Sequence, residues 1–89
     1  MAGQDMPYEA TIRTEIAISI LNQARAIVTA RAYALDEQDP AAADRLRDRR
    51  RDLLDLQESL GPENPDAAEH VIAIWGPRVQ NETRFWAEF

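Results

Sequence analysis

Arginine carries every positive charge in this chain: there are ten arginines and no lysine, against sixteen acidic residues. Five of the ten fall within seven positions, at Arg45, Arg47, Arg49, Arg50 and Arg51. A guanidinium is a planar fork built for fixed pairing with carboxylates and phosphates, so the run could serve nucleic-acid binding or ion pairing between helices. Interleaved aspartates decide between them. Asp44, Asp48, Asp52 and Asp55 oppose the five arginines, leaving residues 44–55 with a net of one positive charge. Basic regions that grip DNA clear acids from the binding face, and a net charge of −6 with a pI near 4.6 repels phosphate backbones and anionic membranes alike. The expected arrangement is a solvated helix face on which Asp44 reaches Arg47 and Asp48 reaches Arg51, each three residues on, with Arg51 also within reach of Asp55.

The arginines of the run do not share one face. Arg47 and Arg51 project beside the aspartates, whereas Arg49 and Arg50 fall among Leu46, Leu53, Leu54 and Leu56. A charge beside leucines must reach water along its stem or be answered by another helix. Gln23 and Glu15 are the expected partners, fixing the register of a helix pair. Arg13 and Arg31 project into the apolar stripe of the first helix near its ends, where their stems cover apolar surface and their heads reach water. Catalytic chemistry has little to work with. His70 is the one histidine, with Asp66 and Glu69 as helical neighbours; it makes half of the Glu-x-x-His pattern of which a carboxylate-bridged metal bundle needs two. Cysteine is absent, there are three glycines, and no phosphate-binding or nucleophile-elbow motif occurs. The expectation is a non-enzymatic chain with no cofactor and no metal. Asn81-Glu82-Thr83 matches a glycosylation sequon, which carries no weight without an export signal in residues 1–7.

Aromatic side chains make a second cluster. Trp75, Phe85, Trp86 and Phe89 are four of the six aromatic residues and lie in the last fifteen positions. Either this end folds back to cap the core, or part of it stays exposed as an anchor, since Trp, Phe and Arg dominate the energetics of protein interfaces. Arg49, Arg50, Trp75, Phe85, Trp86 and Phe89 are therefore the candidate partner-binding residues.

Helices must position these groups. Asp39-Pro40 and Asn64-Pro65 each place a capping side chain before a proline suited to the first helical turn, while Gly61-Pro62 reads as a stop with a C′ glycine. The boundaries predict helices over 8–37, 40–60 and 65–88 in a single domain, 1–89. Ile16, Ile20, Gln23, Ile27, Ala30 and Ala34 repeat at 4-3-4-3-4, and Ala42, Leu46, Arg49, Leu53, Leu56 and Leu60 repeat the same spacing, so the first two helices read as an antiparallel hairpin. Ala17, Leu21, Ala24, Val28 and Leu35 widen the first stripe enough for two neighbours. The third helix keeps one apolar phase across Gly76-Pro77, where a proline kink or a restart is expected. The fold class is all-α: a helical hairpin plus a proline-kinked third helix. A core this small favours a homodimeric bundle. Composition further favours a cytoplasmic chain with no membrane span. Together these imply a small acidic module that binds and regulates or inhibits a partner protein. Inhibitors carried by phages and plasmids are comparable in size and charge. The alternative is a nucleic-acid-associated regulator in which dimerisation doubles the face from Arg45 to Arg51; it predicts affinity falling steeply with salt.

Overall fold

A computed structural model describes the backbone of residues 2–89 and the side chains of residues 8–89. Four helices follow one another: α1 (Ala2–Leu35), α2 (Pro40–Glu58), α3 (Pro65–Val79) and α4 (Glu82–Glu88). No strand occurs among the described residues. The two proline junctions start helices as their chemistry requires. The Asp39 carboxylate accepts the Ala42 N–H at 3.1 Å, with Pro40 at the first position of α2. Asn64 holds the equivalent place before α3, though its side chain makes no capping bond.

Helices α1 and α2 end two residues before the expected 37 and 60, and three further features differ from the sequence reading. Helix α1 begins at Ala2 rather than at residue 8. The C′ role expected of Gly61 is unused: no glycine has a positive φ among the described residues, and α2 ends in a tight right-handed turn. There the Ser59 N–H is shared between the carbonyls of Asp55 and Leu56, and the Ser59 hydroxyl donates to the Leu56 carbonyl at 2.6 Å. Those bonds satisfy carbonyls that a left-handed cap would otherwise serve. The expected single third helix is two. Helix α3 continues through Pro77, as the unbroken apolar phase favours over a restart there, but it stops at Val79, and a separate helix starts at Glu82. Gly76 explains the passage: a residue before proline avoids helical backbone because its Cβ meets the proline ring, and glycine has no Cβ. The break falls where Asn81 supplies a cap, accepting the Arg84 N–H at 3.1 Å.

Helix α1 is the spine against which α2 and α3 both pack. Ion pairs and hydrogen bonds give the directions. Arg47 reaches Asp36, Arg50 reaches Thr29 and Gln57 meets Arg25, so α2 descends α1 antiparallel. Arg13 reaches Glu69, and a Cβ added at Gly76 would lie 3.7 Å from Ile20 Cδ1. Both pairs are offset by 56 positions, so α3 runs parallel to α1 from a lower starting point. The result is an elongated body, 58 × 22 × 15 Å.

The core joins Ala17, Leu21, Ala24 and Val28 of α1 to Leu53 of α2, Ala68 and Val71 of α3, and Phe85 of α4. This corrects the seam. The structure buries the stripe one residue further on, a rotation of about 100°. Ile16 is 39% exposed, and Gln23, Ala30 and Ala34 face outward, while Ile20 and Ile27 pack at the core's edge. Small side chains account for the rotation. A spine touching two helices at once needs close backbone approach, which Ala17, Ala24, Ala32, Ala43 and Ala68 allow and isoleucine does not.

Candidate interaction surfaces

The aromatic end folds back. Phe85 is fully buried, its ring stacked on Phe89 at 5.1 Å between centroids and edge-on to Trp86 at 5.1 Å, with Trp75 at 6.1 Å. A seven-residue helix has no stability of its own, so α4 exists because this cluster docks it. One polar tie from α3 holds it: Arg78 Nε donates to an oxygen of Glu88 at 2.9 Å, and the same oxygen accepts from Arg84 Nε within α4 at 3.2 Å. Arginines close over the rings from three helices. Arg31 of α1 lies 4.2 Å from the Trp86 ring centroid, Arg49 of α2 lies 4.3 Å from that of Phe89, and Arg78 of α3 lies 4.8 Å from that of Trp75. Such stacking supplies a favourable electrostatic contact while the guanidinium stays partly hydrated.

Between α2 and the aromatic end runs a groove of about 510 Å³ lined by Arg45, Leu46, Asp48, Arg49, Trp86 and Phe89. Arg49 Nη2 donates to the Phe89 main-chain oxygen across it. Two of its lining residues carry an unanswered polar group. The Trp86 Nε1 is buried with no acceptor, and Arg45 is exposed with no ion pair. A buried N–H without a partner costs about 1–3 kcal/mol.

A second groove, about 270 Å³, lies between α1 and α2 and is lined by Arg25, Thr29, Arg47, Arg50, Arg51 and Leu54. Arg47 is shared between Asp36 at 2.6 Å and Asp44 at 3.2 Å. The hydrogen bond to Asp36, reinforced by the charge of that carboxylate and opposed by partial burial, raises the Arg47 pKa above its ordinary value. Arg51 pairs with Asp48 at 3.5 Å. Arg50 instead donates to the Thr29 hydroxyl at 2.9 Å.

The six sequence-derived residues thus separate. Arg49, Trp86 and Phe89 line the α2–α4 groove, Trp75 and Phe85 lie beneath it as packing, and Arg50 faces the other groove. Neither Gln23 nor Glu15 answers Arg49 or Arg50, because the rotation of α1 turns Gln23 outward and Glu15 is exposed. Arg31 stacks on a ring, and Arg13 forms a two-pronged bridge to Glu69 at 2.8 Å per contact. The Asp44–Arg47 and Asp48–Arg51 pairs are those expected from helical spacing. Leu46 and Arg25 lie outside the residues that the sequence marks for a site, and Arg45 enters there only through the alternative nucleic-acid face. Leu46 belongs to the predicted seam of α2, and nothing in α1 alone marks Arg25 as a neighbour of α2.

His70 is exposed, and among the described residues no group of three or more His, Cys, Asp or Glu could hold a metal ion. No described helix is long and apolar enough to cross a membrane. Compared with protein families, curated proteins and solved structures, the chain matches none of them.

Proposed function

We propose that this chain is a non-enzymatic interaction module that binds and regulates or inhibits a partner protein through the groove between α2 and α4. The observation that carries the reading is a groove whose walls combine Leu46, Trp86 and Phe89 with the unpaired cation of Arg45, the buried N–H of the same tryptophan being without an acceptor. A partner segment carrying an apolar side chain beside a carboxylate fits that wall. It fills the groove, pairs with Arg45 and brings an acceptor to the indole once α4 yields slightly. Tryptophan and arginine at the centre of a patch are the residues most often dominant in binding energy.

The module is proposed to act as a homodimer. Among the described residues, the outward stripe of α1 formed by Tyr8, Ile12, Ile16, Gln23, Ala30 and Ala34 consists of uncharged side chains and leaves Ile12 and Ile16 more than a third exposed. A second α1 laid against it makes the dimeric bundle that the 4-3-4-3 spacing suggests. A second reading, the nucleic-acid regulator, is favoured by Arg45 and Arg50, which have no carboxylate partner.

A photo-crosslinking residue at position 45, compared with one at Ser19, tests the groove. Capture of a protein at 45, competed by wild type and abolished by Leu46→Glu in a folded variant, is expected. Equal capture from both positions removes the assignment. Mass in solution tests the dimer: Ile12→Glu/Ile16→Glu shifts it to the monomer, and a wild-type monomer at all concentrations refutes it. A mobility shift with duplex DNA that weakens steeply with salt would promote the second reading.

A further inference from the structure

The arginines of the α1–α2 groove are answered in two different ways. Arg47 and Arg51 face carboxylates. Arg25 Nη1 donates to the side-chain oxygens of Asn22 at 3.0 Å and Gln57 at 2.9 Å, and Arg50 Nη1 donates to the Thr29 hydroxyl. All three of those acceptors are neutral. A neutral acceptor holds a guanidinium in place without cancelling its charge, and each bond uses one terminal nitrogen of a fork that carries five N–H donors. Thr29 lies one turn beyond Arg25 on α1, and Leu54 lies one turn beyond Arg50 on α2. The two uncompensated cations therefore flank the same groove, half-buried and fixed from opposite helices. In a chain of net charge −6 this is a local reversal of sign.

We infer that this groove binds a small phosphate-bearing ligand, with Arg25 and Arg50 gripping adjacent phosphate groups and Arg51 closing the rim. Two forks approaching from different helices suit the tetrahedral oxygens of a diphosphate, whereas one flat carboxylate occupies a single fork. Fixing the cations before binding lowers the ordering cost of gripping the ligand. Compactness matters as well. Beyond a Debye length of about 8 Å at physiological salt a small ligand is screened from the rest of the acidic surface, but an extended polyanion must lie along it. The site is separate from the α2–α4 groove, so either can fail without the other.

Calorimetry with inorganic pyrophosphate as the probe decides the matter. Wild type is expected to bind one equivalent saturably, Arg25→Gln and Arg50→Gln to bind at least tenfold more weakly, and Arg45→Gln to bind as wild type does. Arg50→Lys, which keeps the charge and loses the fork, falls between and serves if a glutamine variant fails to fold. Amide chemical shifts should move first at Thr29 and Leu54. Absence of saturable binding up to about 10 mM, equal loss in Arg45→Gln, or preference for duplex DNA over pyrophosphate each overturns the inference.

Discussion

The two ends of α1 are built on one continuous helix, yet they are held by different physics. Around Arg13 the spine meets α3 alone. Its neighbours there are Ala68 and Val71, its tie is the surface bridge to Glu69, and Tyr8, Ile12 and Ile16 stay open to solvent. Around Val28 the same helix is flanked by α2 on one side and by the aromatic end on the other, with Phe85 as the largest fully buried side chain. One end is therefore secured by rings and arginine stacking, the other by small residues and one ion pair. The difference teaches that burial along a long helix follows its neighbours rather than its own apolar content, since the lower isoleucines are as apolar as anything above them.

Removing the ring at the upper end should have the largest effect. Phe85→Ala is expected to cost about 3–5 kcal/mol, seen as a large fall in the urea midpoint together with loss of the near-ultraviolet aromatic signal. A cost under about 1 kcal/mol would mean that α4 is an appendage, and the contrast between the ends would dissolve. At the lower end Val71→Ala removes two buried carbons, about 1.6 kcal/mol at ~0.8 each with a further increment for the cavity. Hydrogen exchange sharpens the contrast here. If the ends open separately, amides near Arg13 should lose protection while those of α2 keep theirs; uniform loss would show one cooperative unit. Arg31→Gln, which removes the cation over Trp86, should cost about 0.5–1 kcal/mol, with a shift in tryptophan emission. An unchanged melt and spectrum would reduce that contact to proximity.

Much of this contrast could be read in the sequence, and the remainder has identifiable causes. Asp39-Pro40 and Asn64-Pro65 mark their helix starts because capping and proline geometry are local. In α1 the sequence puts Ala17, Leu21, Ala24 and Val28 at the side of the stripe and the structure puts them at its centre, because large isoleucines dominate a periodicity count, whereas a helix touching two partners turns its alanines inward. The stop at Val79 was hidden by an apolar phase that runs unbroken through it, although Asn81-Glu82 reads in retrospect as a cap followed by a first-turn acid. In the grooves, the arginine run and the aromatic cluster were visible, but which arginine meets which ring depends on the packing angle of α4. Arg25 joins Arg50 only through the tertiary pairing of α1 with α2.

The subtlest difference between the ends is electrostatic. The bidentate hydrogen bond from Arg13, seconded by its charge and opposed by partial burial, holds the Glu69 carboxyl below its ordinary 4.5. The same contact raises the Arg13 pKa further above the ordinary arginine value, so of the two partners only the carboxylate titrates in the working range. A carboxyl whose folded pKa lies below its unfolded one contributes its stability in full above the unfolded value, and loses it as pH falls through the folded value. The lower end should therefore loosen in acid below the usual glutamate range. Both partners are substantially exposed, at 40% and 53%, so solvent screening keeps the effect small. A carboxyl-carbon titration by NMR is expected to place the Glu69 midpoint below that of an unpaired glutamate, and Arg13→Gln should return it to the ordinary value. Glu69→Gln should flatten that part of the acid melting profile. An unshifted midpoint in wild type would leave the apolar contact with α3 as the sole fastening of the lower end.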